Sequence, residues 1–303
     1  MRRRLPVAAA LVFAAAACGS SSLPKNGPIL AWRWSAEGAL YALRADGSQM
    51  RKVAELPAHG VAPLRLGDWI YYNTVLPITT PKVSYFRIDL WRMRPDGTRR
   101  RLVARNVPLD ALSPDGRTIA FSEDACTSGG FNERCDEMIQ NSTELYTIGI
   151  DGRGRRRLTH NGTYDGEPSW SPDGKAIAFA TDTGVRIIDR DGRHVRTLIK
   201  GADYSSAPEW SPVGDRILVS GLGRWRVVST DGSVLYKLEP GPAGPKWAPV
   251  WSPDGRRIAY LGERAKQWTA EDPLQVWVMN ADGSGRRPLT RSFGWSISSW
   301  SPA

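Results

Sequence analysis

Short apolar runs alternate with turns rich in glycine, proline and aspartate along most of the chain, a pattern of many short strands rather than helices. One stretch shows the unit. Glu167 to Trp170 predicts a short inner strand, and Ser171-Pro172-Asp173-Gly174 a turn in which proline presets φ and glycine accepts a positive one. Ala176 to Ala180 predicts an apolar second strand, Val185 to Asp189 a third, Asp191-Gly192 a hairpin turn, and Val195 to Ile199 an outer strand.

The unit repeats. Trp170-Ser-Pro-Asp-Gly returns as Trp210-Ser-Pro-Val-Gly and Trp251-Ser-Pro-Asp-Gly, and more loosely as Leu112-Ser-Pro-Asp-Gly, with 40 and 41 residues between the tryptophans. That interval is one four-stranded propeller blade. A second, out-of-phase series of Asp-Gly turns falls at Asp46, Asp96, Asp151, Asp191, Asp231 and Asp282, which predicts six blades. The expected fold is therefore all-β, a six-bladed β-propeller. Ile29 to Trp34 reads as a second strand with no inner strand before it, while Ser296 to Ser301 reads as an inner strand with nothing after it. The C-terminal segment is thus expected to complete blade 1 and close the ring, removing an open sheet edge. Blade 2 lacks the tryptophan turn and gains a loop at Ile78 to Ser84, and blade 3 carries an insertion from Glu123 to Thr143.

Composition fits this picture, with 30 Gly, 22 Pro and 13 Trp in 303 residues. The N-terminus does not belong to it: Arg2, Arg3 and Arg4 precede an apolar stretch from Leu5 to Ala17, then Cys18, the layout of a secretion signal too short to be a transmembrane helix. Residues 1–18 are read as that signal, 19–28 as a flexible tether, and 29–303 as the propeller. Without the signal, 38 basic residues face 31 acidic ones, a moderate excess near +7. Export places Cys126 and Cys135 in an oxidising space, where they are expected to pair and pin the blade 3 insertion. His59, His160 and His194 supply no zinc spacing, and no metal or cofactor is expected.

The repeats resemble those of the TolB-like β-propellers, which carry the same Trp-Ser-Pro-Asp-Gly and Asp-Gly elements and a Leu-Thr pair such as Leu158-Thr159 and Leu289-Thr290. The resemblance covers nearly the whole chain after the signal and implies the fold more strongly than a role, since such blades serve translocation partners, peptidase accessory domains and lyases. TolB itself has an N-terminal α/β domain where this chain has a tether. Ala15-Ala16-Ala17-Cys18 resembles the bacterial lipobox, with Ala15 in place of the preferred leucine, which implies lipidation of Cys18 and a membrane-anchored protein facing the periplasm or the exterior.

Asp115, Asp173 and Asp254 recur at fixed places in proline-started turns, where a carboxylate shapes the turn by accepting backbone N–H groups, and they are read as structural. Arginine runs at Arg99 to Arg101, Arg155 to Arg157 and Arg286-Arg287 follow hairpin turns, where charge blocks edge-to-edge pairing. Attraction to anionic lipid or envelope polymers is the alternative reading of these runs. Nucleic acid is excluded as a partner by compartment. Aligning blades on the Trp-Ser pair brings Tyr164, Asp165, Tyr204, Ser205, Lys246, Trp247 and Trp295 to the channel mouth, a set suited to a peptide or a sugar polymer, although Trp247 and Trp295 also fit blade packing. No Gly-x-Ser-x-Gly elbow or other nucleophile spacing is present. The chain is expected to be a monomeric, non-enzymatic, envelope-anchored scaffold binding a protein or peptide through the channel face and the blade 3 insertion. The alternative is a propeller enzyme or carbohydrate-binding protein acting on polysaccharide.

Overall fold

The computed structural model describes residues 26–33, 38–57, 60–79, 84–124, 143–201, 207–220, 225–238, 245–262, 275–290 and 295–302. All its regular elements there are strands. Blade 1 contains β1 (Asn26–Arg33), β2 (Ala39–Leu43) and β3 (Met50–Glu55); blade 2 contains β4 (Gly60–Leu66), β5 (Trp69–Thr79), β6 (Ser84–Met93) and β7 (Arg101–Ala104). Blade 3 is β8 (Ala111–Leu112), β9 (Thr118–Asp124), β10 (Thr143–Gly149) and β11 (Arg156–Arg157), and blade 4 is β12 (Asp165–Trp170), β13 (Ala176–Thr181), β14 (Gly184–Asp189) and β15 (Arg196–Lys200). Blade 5 is β16 (Pro208–Trp210), β17 (Arg216–Val219), β18 (Trp225–Ser229) and β19 (Val234–Leu238). Blade 6 is β20 (Pro245–Trp251), β21 (Arg257–Gly262), β22 (Gln275–Asn280) and β23 (Arg287–Pro288), and β24 (Trp295–Pro302) returns to blade 1.

Each blade is a four-stranded antiparallel sheet, and blade 1 has the order β24-β1-β2-β3. The C-terminal strand therefore closes the ring as the repeat pattern predicts, with Ile29 opposite Trp300 and Arg33 opposite Trp295. β1 begins at Asn26, three residues before the expected boundary, and the Asn26 side chain explains why. Its Nδ2 donates to Asp254 Oδ2 at 3.0 Å, and its Oδ1 accepts from Asp254 N at 3.2 Å, tying the strand to the turn of blade 6. In blade 2 the expected loop at Ile78 to Ser84 is shorter than the sequence suggests, because β5 and β6 stay paired out to Thr79 and Ser84. Most of the blade 3 insertion, with Cys126 and Cys135, lies outside the described residues, as does Cys18.

Two of the repeated tryptophans bond to the preceding blade: Trp170 Nε1 donates to Ala111 O in blade 3 at 3.2 Å and Trp251 Nε1 to Glu209 O in blade 5 at 3.0 Å, whereas Trp300 Nε1 donates to Gly27 O at 3.0 Å inside blade 1. Each indole also buries apolar area between sheets, which supplies the core that one blade cannot form alone.

Some turns of the Asp-Gly series bring the backbones of neighbouring blades together. Gly232 adopts φ +93°, and a Cβ there would collide with the carbonyl oxygen of Leu198 on the outer strand of the preceding blade. Gly152 stands in the same relation to Val103 O. Glycine at these turns thus serves both a left-handed backbone and a backbone-to-backbone approach between blades.

The Leu-Thr pairs have a structural task as well. Thr159 Oγ1 accepts from Leu145 N at 3.0 Å, and Thr290 Oγ1 accepts from Val276 N at 3.0 Å, so each hydroxyl caps a backbone donor at the start of its blade's third strand.

Candidate functional site: carboxylates on the inner strands

The proline turns are shaped as expected. Asp173 Oδ1 accepts from Ser171 Oγ at 2.6 Å and from Lys175 N at 3.1 Å, and Asp115 and Asp254 repeat the arrangement with Ser113 and Ser252. The serine hydroxyl beside Asp115 and that beside Asp173 hold the two carboxyls below the usual carboxylate range. Burial opposes this at Asp254, but bonds from Ser252, Arg256 N and Asn26 outweigh it.

The innermost strands are different. They stand at one end of each sheet order, and three successive blades carry a carboxyl on or just ahead of them: Asp110 just ahead of β8, Glu167 in β12 and Glu209 in β16. Burial pushes Asp110 up to about 7, against the bonds it accepts from Ser122 N at 2.9 Å and Ser122 Oγ at 3.1 Å, and the Glu167 charge pushes it further. Burial also raises Glu167, and it lifts Glu209, only 7 % exposed, well above the carboxylate range. Glu167 keeps some solvent contact although protein surrounds its carboxyl.

Local structure sets which inner-strand side chains face inward. β12 carries a register shift between Gly166 and Ser169, with Glu167 at φ +51° immediately before Pro168. β4 repeats this, with a shift between Val61 and Leu64 and Ala62 at φ +48° before Pro63; β20 shifts between Trp247 and Val250, around Pro249. A proline has no N–H to give to a ladder, so it sits at the bulge without loss, and the bulge re-aims the side chain ahead of it.

Tyr164 completes this corner. A Cβ at Gly166 would meet the Tyr164 hydroxyl, so the phenol lies back over the strand at a position that only glycine leaves open. Burial raises its pKa, and the charges of Glu167, Asp110 and Asp182 raise it further, which places all four groups around one spot between blades 3 and 4.

Below the rim, two buried carboxyls are handled oppositely. Burial works against the Glu144 carboxylate, yet it receives Thr159 Oγ1 at 2.6 Å, Gly162 N at 2.8 Å and Arg157 Nη2 at 2.7 Å, and its pKa is lowered. Asp165, with no exposed surface, is pushed up to about 6 by burial. Asn161 Nδ2 donates to its Oδ2 at 2.8 Å, but the single Thr159 proton is committed to Glu144, and Asp165 Oδ1 has no donor.

Of the seven residues expected at the channel mouth, Tyr164 stands beside Glu167 and Asp110, and Asp165 is buried beside Asn161 and Glu144. Trp295 is 2 % exposed and meets Tyr41 edge-to-face at 5.2 Å inside the core between blades 6 and 1. Lys246 and Trp247 lie on the backbone of β20, their side chains outside the described residues, as are Tyr204 and Ser205 altogether. Asp110, Glu167 and Glu209 are absent from the sequence-based set. Their signal is an acid one to three positions ahead of the repeat's Trp or Leu, where other blades carry apolar or small residues. Among the described residues, no group of three or more His, Cys, Asp or Glu side chains has metal-holding geometry, and no helix is long and apolar enough to cross a membrane.

The architecture and its central passage define a six-bladed β-propeller closed by its own C-terminus. The family of the TolB beta propeller domain matches residues 106–303, and the chain belongs to it. Dipeptidyl-peptidase 5 of Porphyromonas gingivalis is 35 % identical over 75 residues, which are 24 % of this chain and 10 % of that protein, so the match spans about a tenth of that relative's length. The uncharacterized protein Atu1656 of Agrobacterium fabrum is 25 % identical over 284 residues, covering 88 % of this chain and 76 % of the other. The crystal structure of TolB from Acinetobacter baumannii superimposes with a TM-score of 0.66 at 18 % identity, covering 93 % of this chain and 69 % of that one.

Proposed function

We propose that this propeller is a non-enzymatic scaffold of the cell envelope, tethered through a lipid on Cys18, whose inner strands receive a basic peptide segment of a partner protein. The carrying observation is the row of buried, raised carboxyls Asp110, Glu167 and Glu209 on three consecutive blades, with Tyr164 beside the first two. A lysine or arginine entering that passage would be drawn in as the carboxyls give up their protons, because an opposite charge restores the ionised form that burial disfavours. Membership of a propeller family supports a scaffold role, and the signal-like N-terminus supports export.

The test is binding of the full chain to an array of lysine- and arginine-containing decapeptides. Asp110→Asn with Glu167→Gln should weaken the captured peptides at least tenfold, and an unchanged profile would overturn the reading. For the anchor, Cys18→Ser should move the protein from the membrane fraction to the soluble one; retention at the membrane would refute lipidation as the tether.

A further inference from the structure

The outermost strand of each blade is a sheet edge that another chain can pair with, and exposed apolar edges are normally guarded. Five of the six blades here follow the hairpin turn with basic residues: Arg51-Lys52, Arg99 to Arg101, Arg155 to Arg157, Arg193 with Arg196, and Arg286-Arg287. Blade 5 has Val234-Leu235-Tyr236 instead, 47 %, 45 % and 40 % exposed, three of the six large apolar residues most exposed among those described.

The backbone differs with the sequence. In blades 2, 3, 4 and 6 the second residue after the hairpin glycine is left-handed (Arg99, Gly154, His194 and Gly285), and the outer strand starts two residues later still. Val234 takes that place in blade 5, and a β-branched residue resists the left-handed region. β19 accordingly begins at Val234 itself, two residues after Gly232, so its apolar residues stand directly after the turn.

Two further features adjoin this edge. Val213 occupies the turn position that is aspartate in blades 3, 4 and 6, and with Tyr236, two arginines (Arg216 and Arg256) and two aspartates (Asp254 and Asp282) it lines a cleft of about 420 Å³ between blades 5 and 6. Arg226 and Lys237 are register partners across β18 and β19, and neither meets a carboxylate among the described residues. Like charges directly opposite one another are destabilising, and a carboxylate laid beside Lys237 would relieve that pair.

We propose that β19 is a docking edge for an extended segment of a partner protein, alternately apolar and acidic, which adds to blade 5 as a fifth strand. Its backbone pairs with the outer edge of β19, its apolar side chains lie on the face of Tyr236, and one of its carboxylates, on the opposite face, neutralises Lys237. A second copy of this chain is the poorer occupant, because it would bring another Arg226–Lys237 pair and another net charge near +7 to the same place. The surface lies at the ring's outer radius and owes nothing to the inner-strand carboxyls.

The experiment titrates the full chain in detergent micelles into a fluorescent decapeptide of alternating valine and glutamate, with alternating valine and threonine as the neutral probe. The acidic peptide should bind at least tenfold more tightly than the neutral one. Leu235→Arg with Tyr236→Arg, which gives blade 5 the arginine pair of blades 3 and 6, should weaken both at least tenfold while leaving the melting temperature in place. Lys237→Glu, a change at an exposed side chain, should weaken the acidic peptide alone. Equal binding by the arginine variant, no saturable binding by the wild type, or a wild-type dimer that the arginine variant dissociates would each overturn the proposal.

Discussion

The proline turns and the inner strands use the same functional group in opposite ways. In the turns, Asp115, Asp173 and Asp254 are ionised by design: each has a serine hydroxyl and a backbone N–H aimed at it, and each sits where water can reach. On the inner strands, Asp110, Glu167 and Glu209 are surrounded by protein and have few or no donors. The turn acids recur because every blade needs the same turn. The inner acids occur at blade-specific places, so the repeat does not require them, and a burial cost that the fold does not require is where a ligand has something to offer.

The largest effect should come from the repeat itself. Gly232→Ala should cost about 3 kcal/mol in urea unfolding, from left-handed strain and the clash with Leu198 O, whereas Gly97→Ala, with open space around it, should cost about 1 kcal/mol. Equal costs would show that the hairpin glycines serve the turn alone and not the contact between blades.

Next in size is the pH response of the inner acids. A carboxyl raised from 3.8 to about 7 holds its proton in the folded state while the unfolded chain has lost it, so its stabilisation is complete below about pH 4 and is lost as pH rises to about 7. Asp165, raised to about 6, acts in the same direction, and the lowered turn aspartates act in the opposite one, losing stability only as pH falls below about 4. The wild type should therefore be less stable at pH 8 than at pH 5, and Asp110→Asn should remove on the order of 2 kcal/mol of that difference. An unchanged slope would mean that Asp110 is hydrated and ionised like the turn acids.

Smaller effects test the turns. Asp173→Ala should cost about 1 kcal/mol, little for two lost bonds because the carboxyl is half exposed, and should leave peptide capture intact. Blade 5 offers the reverse change. Its turn has Val213 in place of aspartate, and Ser211 Oγ is buried without a partner. Val213→Asp should supply the missing acceptor and raise stability by about 0.5 to 1 kcal/mol, and a loss would show that the turn of blade 5 is built differently.

The repeat made the fold legible. Two motif series gave the blade number, and the orphan strands at Ile29 and Ser296 gave the closure, because turn residues and inter-blade tryptophans are fixed by local geometry. The site was legible only in part. Alternation along a strand tells which side chains share a face, and the bulges at Ala62-Pro63 and Glu167-Pro168 break that alternation where it matters. Alignment on the tryptophans points to Tyr164 and Asp165 but not to Glu167, two residues on, which reads as plain strand, and Trp295 reads equally as a channel aromatic or as blade packing because its contact with Tyr41 comes from the other end of the chain.

Ring closure by β24 also has a consequence in time. The Trp300 bond to Gly27 spans 273 positions, so β1 waits for β24 before its inner edge is covered. Loop-closure entropy grows only slowly with length, but the contact cannot begin until β24 has been made. Until then five blades can stack while the first stays incomplete, which keeps the ring open and the chain threadable for as long as it is being made or moved.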